Sequence, residues 1–319
     1  MRCFDPCQLA ATLLGHPPAT LAPVAGRGRN ASVWQVTAQD GRLYAMKRYA
    51  ATDAADRLAA EVGALRFLRE HGIEAVPDIA AADPKAGASL LNWIEGEVPL
   101  PADADGIDAC LDFAARLHAL RQEGARLLPA REACWTGAEL LQQVDARLRR
   151  LQTESDEPAL RDFIRDRLLP WREVSASGAE DVATRPDQRT LSPSDFGLHN
   201  ALRQTDGRLI FLDFEYFGWD DPVKLTADFM LHPGMALDAA LAARFRDGAE
   251  RLYGSDPAFA RRLDALLPLY ALRWALILLN EFLPERWVDR RAAGMDGDHA
   301  AVKAAQLAKA EAMLTRMAA

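Results

Sequence analysis

Leu191-Ser-Pro-Ser-Asp-Phe-Gly-Leu-His-Asn200 and Ile210-Phe-Leu-Asp-Phe-Glu215 place two carboxylates and one amide in a fixed order along the chain. Asp195 stands five residues before Asn200, and Asp213 ends a short apolar run. An acid and an amide at the two ends of one tight loop, with a second acid arriving from a neighbouring strand, suit phosphoryl transfer. One carboxylate orients an acceptor hydroxyl. The amide oxygen and the other carboxylate are hard oxygen donors of the kind that hold magnesium on a nucleotide.

Three earlier pieces fall in an order that matches this chemistry. Gly26-Arg-Gly-Arg-Asn-Ala-Ser-Val33 lies between strand signals. Its glycines permit a tight turn and let backbone N–H groups approach phosphate oxygens, although a plain glycine hairpin fits the same residues. Lys47 on the next strand is either an edge lysine or an ammonium that neutralises the inner phosphates of a nucleotide. Glu61, beside the Leu58, Val62 and Leu65 stripe, is either an ordinary helix glutamate or the partner that fixes Lys47. The glycine turn leads into a strand and not a helix, which argues against a dinucleotide-binding unit. No GxxxxGK[ST], HExxH or GxSxG motif competes with this set.

With 319 residues the chain is long enough for one large domain or two lobes. Its formal net charge of −8 argues against nucleic acid, whose phosphates demand clustered Lys and Arg. Cys3, Cys7, Cys110 and Cys134 form no CxxC pair and read as free thiols of a cytoplasmic protein. The N-terminus lacks the pattern of a signal peptide. Ala271-Leu-Arg-Trp-Ala-Leu-Ile-Leu-Leu-Asn280 is too short to span a bilayer and carries Arg273, so it reads as a core helix with no membrane insertion.

Secondary-structure signals divide the chain near residues 93–98. Residues 1–20 suggest a short helix and an irregular lead-in. Strands follow over 21–49, with Asp40-Gly41 as a hairpin turn. Asp53 opens a helix that His71-Gly72 closes, and two short strands flank Asp83-Pro84. Beyond Gly96-Glu-Val-Pro-Leu-Pro101 the periodicity predicts helices over 106–120, 137–152, 158–173, 237–253, 260–282 and 298–317. Residues 190–215 interrupt them as loop and strand.

On these residues the chain resembles the aminoglycoside phosphotransferase and choline kinase-like family over roughly residues 21–230. The resemblance implies an α+β, bilobal protein-kinase-like fold: a small antiparallel-sheet N-lobe with one key helix (1–95) and a larger, mainly helical C-lobe (96–319). Gly26, Gly28, Asn30 and Ser32 match the glycine-rich strand-turn-strand, with Ala31 where protein kinases have a third glycine. Lys47 matches the nucleotide lysine and Glu61 its helix partner. Leu91-Asn-Trp-Ile-Glu-Gly96 is similar to the hinge, whose backbone at Asn92, Trp93 and Ile94 would meet adenine. Ala114-Ala-Arg-Leu-His-Ala-Leu120 is similar to the first large-lobe helix, where His118 packs. Asp195 matches the catalytic aspartate, and Asn200 and Asp213 the metal-binding pair.

Pro193 departs from the pattern, standing where the family has the histidine of His-Gly-Asp. The loop must then be held through other contacts, with Ser192, Ser194 and Asp228 as candidates. His199 either faces substrate or packs. The resemblance implies a small-molecule kinase that uses ATP or GTP with Mg2+. Its acceptor would be a hydroxyl of a small metabolite such as a sugar, aminosugar or amino alcohol. Glu215, Tyr216, Trp219, Trp274, Asn280 and Glu281 are candidates for meeting that acceptor. The alternative is a nucleotide-binding pseudokinase module. A protein kinase is disfavoured, because residues 216–228 leave little room for an activation segment.

Overall fold

The computed structural model describes residues 4–24, 31–49, 54–287 and 298–318. The chain forms two compact units, Met1–Arg131 with Leu191–Trp219, and Glu132–Thr190 with Asp220–Ala319. Residues 96–131 and 191–219 thus group with the N-terminal sheet. A backbone pairing explains this: Arg203 and Glu97 exchange N–H···O bonds of 2.8 and 3.1 Å, which ties the segment after residue 96 to the Asp195 region.

The first unit is built on a five-stranded antiparallel sheet in the order β1-β2-β3-β5-β4. Its strands are β1 Thr20–Pro23, β2 Ala31–Thr37, β3 Leu43–Tyr49, β4 Ile79–Asp83 and β5 Ala88–Asn92. The Asp40-Gly41 turn forms as expected, with Gly41 in the left-handed region at φ +83°. Helix α1 Pro6–Leu14 is capped by Asp5, whose carboxylate accepts the Cys7 N–H. It lays Leu9 and Ala10 on the apolar sheet residues Val36, Met46, Ala88 and Leu90. Helix α2 Ala54–Glu70 packs on β3, β4 and β5 and buries Leu58, Glu61, Leu65 and Leu68. The expected start at Asp53 lies outside the described residues.

Helix α3 Ala104–Ala119 is capped by Asp103. Strand β6 Thr190–Ser192 pairs with β9 Gly218–Asp220, and between them a hairpin joins β7 Ala201–Arg203 to β8 Leu209–Phe211. Phe113, Phe196, Phe211 and Phe214 meet in one aromatic cluster, with Phe113 and Phe211 centroids 4.2 Å apart. Those rings seat the Asp195 and Asp213 segments on α3.

The second unit is helical. Its helices are α4 Gly137–Glu154, α5 Pro158–Phe163, α6 Leu169–Ala176, α7 Pro222–Leu231, α8 Ala239–Leu252, α9 Phe259–Leu278 and α10 His299–Ala318. A π-helical turn at Ile164–Leu168 divides the helix expected over 158–173, just before Pro170 removes a backbone donor. Helix α9 packs against α4, α6, α7 and α10. With its 3-10 extension, Phe259–Phe282 is long and apolar enough to cross a membrane, yet 67% of its apolar window is buried inside the protein.

Helix α7 is absent from the sequence reading. Nearly all of its residues are buried, so it shows no amphipathic stripe. Asp221-Pro222, an N-cap followed by proline at the first helical position, marks its start in the sequence.

Candidate active site

Lys47 faces inward from the middle of the sheet, paired in register with Val33 on β2 and Ser89 on β5. Its Nζ lies 3.2 Å from Glu61 Oε1, 2.6 Å from Asp213 Oδ1 and 3.4 Å from Glu215 Oε2. Burial works against the ammonium, but Asp213, Glu61 and Glu215 outweigh it and hold the pKa above the ordinary lysine range. Glu61 is 1% exposed. It accepts hydrogen bonds from Lys47, from the Tyr49 hydroxyl and, at 3.2 Å, from the Phe214 N–H. Burial pushes its carboxyl up to about 7, with Lys47 opposing. Glu61 therefore links β3 to the Asp213-Phe214 backbone, which the sequence alone did not show.

Asp213 sits at φ +66°, in the left-handed region that Asp tolerates better than most side chains. Phe214, fully buried behind it, anchors that turn. The β7–β8 ladder runs one step further, with the Leu212 N–H donating to the Asn200 carbonyl at 2.8 Å. Asn200 and Asp213 thus flank the same end of one hairpin. Asn200 Nδ2 donates to the Asp195 carbonyl at 2.9 Å, which orients the amide; its oxygen can only accept a hydrogen bond or ligate a cation. Asp213 is about one-third exposed. An amide oxygen and a carboxylate fit a hard divalent cation.

The loop at Pro193 is held by neighbours in the chain. Ser192 Oγ accepts the Ser194 N–H at 2.9 Å, and the Asp195 N–H donates to the Pro193 carbonyl at 2.9 Å. Ser194, at φ +67°, donates from its hydroxyl to the Arg131 carbonyl at 3.2 Å. His199 Nε2 lies 3.0 Å from Asp195 Oδ1. An ionised carboxylate only accepts, so this ring nitrogen is the donor. Of the expected braces, Ser192 and Ser194 serve the loop. Asp228 is committed within the second unit to Arg273 Nη2 at 2.7 Å, Trp274 Nε1 at 2.8 Å and Lys224 Nζ at 3.4 Å.

The remaining predicted residues are placed unevenly. Gly26, Gly28 and Asn30 lie outside the described residues. Ser32 is exposed on β2 opposite Arg48. In the segment expected to be the hinge, the Asn92 N–H donates to the Asp78 carbonyl at 2.9 Å and the Trp93 N–H to the Leu43 carbonyl at 3.1 Å. Both donors are therefore committed to protein, and Ile94 follows outside the strand. His118 is partly buried and held neutral, its pKa pushed down to about 4 by burial and by Arg121.

The acceptor candidates fall in both units. Glu215 is not a free carboxylate awaiting an amine. It is 3% exposed, and it pairs with Lys47 and, at 3.6 Å, with Arg57 Nη1. Tyr216 hydrogen-bonds to it, and Trp219 Nε1 is committed to the Gly124 carbonyl at 2.9 Å. Trp274, Asn280 and Glu281 lie in the second unit. Arg57 escaped the sequence reading, yet it stands one helical turn before Glu61 on the same face of α2, the spacing that could have found it.

No curated protein matches the chain in sequence. A spectinomycin phosphotransferase solved with ADP and spectinomycin is similar in structure, with a TM-score of 0.62 and 12% identity, covering 94% of this chain and 97% of that one. The macrolide 2′-phosphotransferase of Brachybacterium faecium gives 0.60 at 20% identity, covering 92% and 98%. Choline kinase of Streptococcus pneumoniae gives 0.60 at 15% identity, covering 97% of each chain. At such identities the likeness shows the fold, which is the protein-kinase-like one expected. The sequence profile of the phosphotransferase enzyme family matches residues 20–266, most of the chain. The protein is therefore a member of the phosphotransferase enzyme family.

Proposed function

We propose that this protein is a kinase of small molecules, moving the γ-phosphoryl group of ATP or GTP to a hydroxyl of a sugar, aminosugar or amino alcohol in the cytoplasm. The observation that carries the reading is convergence. Lys47 from β3, Glu61 from α2 and Asp213 after β8 meet within 3.2 Å of one ammonium, while Asn200 and Asp195 close the loop beside them.

Asp195 accepts a hydrogen bond from the acceptor hydroxyl and aligns it for in-line attack, taking its proton late in a loose transition state. Lys47 supplies positive charge to the inner phosphates, and Glu61 fixes its position. Asn200 through its amide oxygen and Asp213 through its carboxylate would hold Mg2+, whose charge offsets that of the phosphate oxygens. The part up to residue 95 serves the nucleotide and the remainder the loop and the acceptor. Adenine is met at the hinge by Ile94, since the N–H groups of Asn92 and Trp93 are already bonded to protein. Positioning and charge carry the rate, because a loose transition state asks for little covalent help.

Asp195→Asn keeps the shape of the loop and removes the acceptor of the proton. With ATP, Mg2+ and a pool of hydroxyl metabolites, it is expected to lower transfer more than ~100-fold, the scale of losing one group matched to the transition state. Transfer at the wild-type rate would remove Asp195 from the reaction. Nucleotide binding by the wild type with no phosphorylated product would instead favour a binding module.

A further inference from the structure

Lys47 has three N–H donors and three protein carboxylates around it: Asp213 at 2.6 Å, Glu61 at 3.2 Å and Glu215 at 3.4 Å. Two of these contacts are hydrogen bonds, whereas Glu215 Oε2 holds Lys47 only as an ion pair and makes no hydrogen bond among the described residues. A phosphate entering beside this ammonium competes with the carboxylates for its charge. Glu61 stays, since it is buried and also holds the Tyr49 hydroxyl and the Phe214 N–H. Asp213, about one-third exposed, would turn to Mg2+, which leaves Glu215 as the competitor. Glu215 has a side chain only 1% exposed, so abandoning it without a cation would leave a buried charge unpaired.

A second cation stands ready beside it. Arg57 Nη1 lies 3.6 Å from Glu215 Oε1, beyond hydrogen-bond length, and the Arg57 Nε and Nη1 atoms are buried and make no hydrogen bond among the described residues. Its guanidinium lies 5.5 Å from the Tyr216 ring centre, and that ring's hydroxyl is bonded to Glu215. Arg131 approaches the same ring at 5.4 Å. Arg57 is thus held within reach of Glu215 with donors to spare.

We propose that Arg57 is a positioning residue that takes over Glu215 and so frees the Lys47 ammonium of one competing carboxylate for the nucleotide phosphates. Two cations face three carboxylates here, and the guanidinium lets the buried acid stay paired whichever way the ammonium turns. The inference rests on Lys47 being the nucleotide lysine. Without Arg57, Glu215 competes with phosphate for Lys47.

Titration calorimetry with Mg-ADP on the full chain, with melting temperatures recorded in parallel, tests this. Arg57→Ala is expected to weaken binding about tenfold, the loss of one charge-assisted contact. Arg57→Lys, which keeps the cation, should retain most of the affinity. Adding Glu215→Gln to Arg57→Ala should return binding to within about threefold of wild type, because an amide does not hold the ammonium. Damage to the fold alone would not be repaired by removing a second charge. Wild-type affinity in Arg57→Ala, or a double variant no better than the single one, overturns the proposal. Lys47→Ala separates the two claims. If it binds Mg-ADP as wild type does, the nucleotide reading fails. If it loses binding while Arg57→Ala does not, only the handover fails.

Discussion

His199 shows how much of a site turns on one side chain. It stands beside Asn200 in sequence, yet its ring reaches back to Asp195 at 3.0 Å, across the same interval that a helix turn would span. Asp195 lacks the preceding histidine that the family pattern leads one to expect, and its carboxylate is held from the other side of the loop. The spacing of Asp195, Asn200 and Asp213 was legible in the sequence because phosphoryl transfer imposes it. The His199 contact was not, because a lone histidine near an apolar run fits packing as well as positioning. His199→Ala should lower kcat about tenfold through a misplaced carboxylate and leave the KM for nucleotide unchanged. A change in KM with kcat intact would contradict the assignment. His199→Gln, which can still donate, should recover part of the rate.

At the scale of elements, the join between the segment after β5 and the β7–β8 hairpin stands out. Gly96 lets the chain pass so close to β7 that a side chain there would meet the Arg203 carbonyl at 2.7 Å. Further along the chain Asp103 caps α3 through the Gly106 N–H at 2.7 Å, and it takes a bidentate pair from Arg203 at 2.7 and 2.8 Å. Arg203 holds the Asp103 carboxyl down to about 2. A carboxyl lowered by folding contributes stability above its ordinary value of 3.8 and loses it as the pH falls through about 2. Asp103→Ala should cost ~1 kcal/mol at neutral pH as a lost cap. Asp103→Asn should cost less, since it can still cap, and should flatten the acid limb of the stability curve. Urea unfolding across that limb measures both, and an unchanged limb in Asp103→Asn would remove the ion pair from the account. Sequence patterns gave the strands and amphipathic helices here, but not this pairing, which depends on contacts a hundred residues apart in the chain.

For the molecule as a whole, what could be read in advance followed a physical line. Motifs set by chemistry and elements with one polar face were visible: the sheet with its Asp40-Gly41 turn, α2, and most helices beyond residue 100. Elements buried all round, such as α7, left no periodic trace. Charges whose role comes from three-dimensional neighbours were not legible. Glu215, a candidate for meeting the acceptor, is a buried partner of Lys47 and Arg57. On the proposed function, Lys47, Asp195, Asn200 and Asp213 form a magnesium-dependent centre for phosphoryl transfer. The most direct measurement is loss of the ATP γ-phosphate to pooled hydroxyl compounds, with and without Mg2+, in wild type and Asp213→Asn. Phosphorylated product should form only with Mg2+ and fall more than ~100-fold in the variant. Equal product from the two proteins, or product undiminished when Mg2+ is withdrawn, would contradict it.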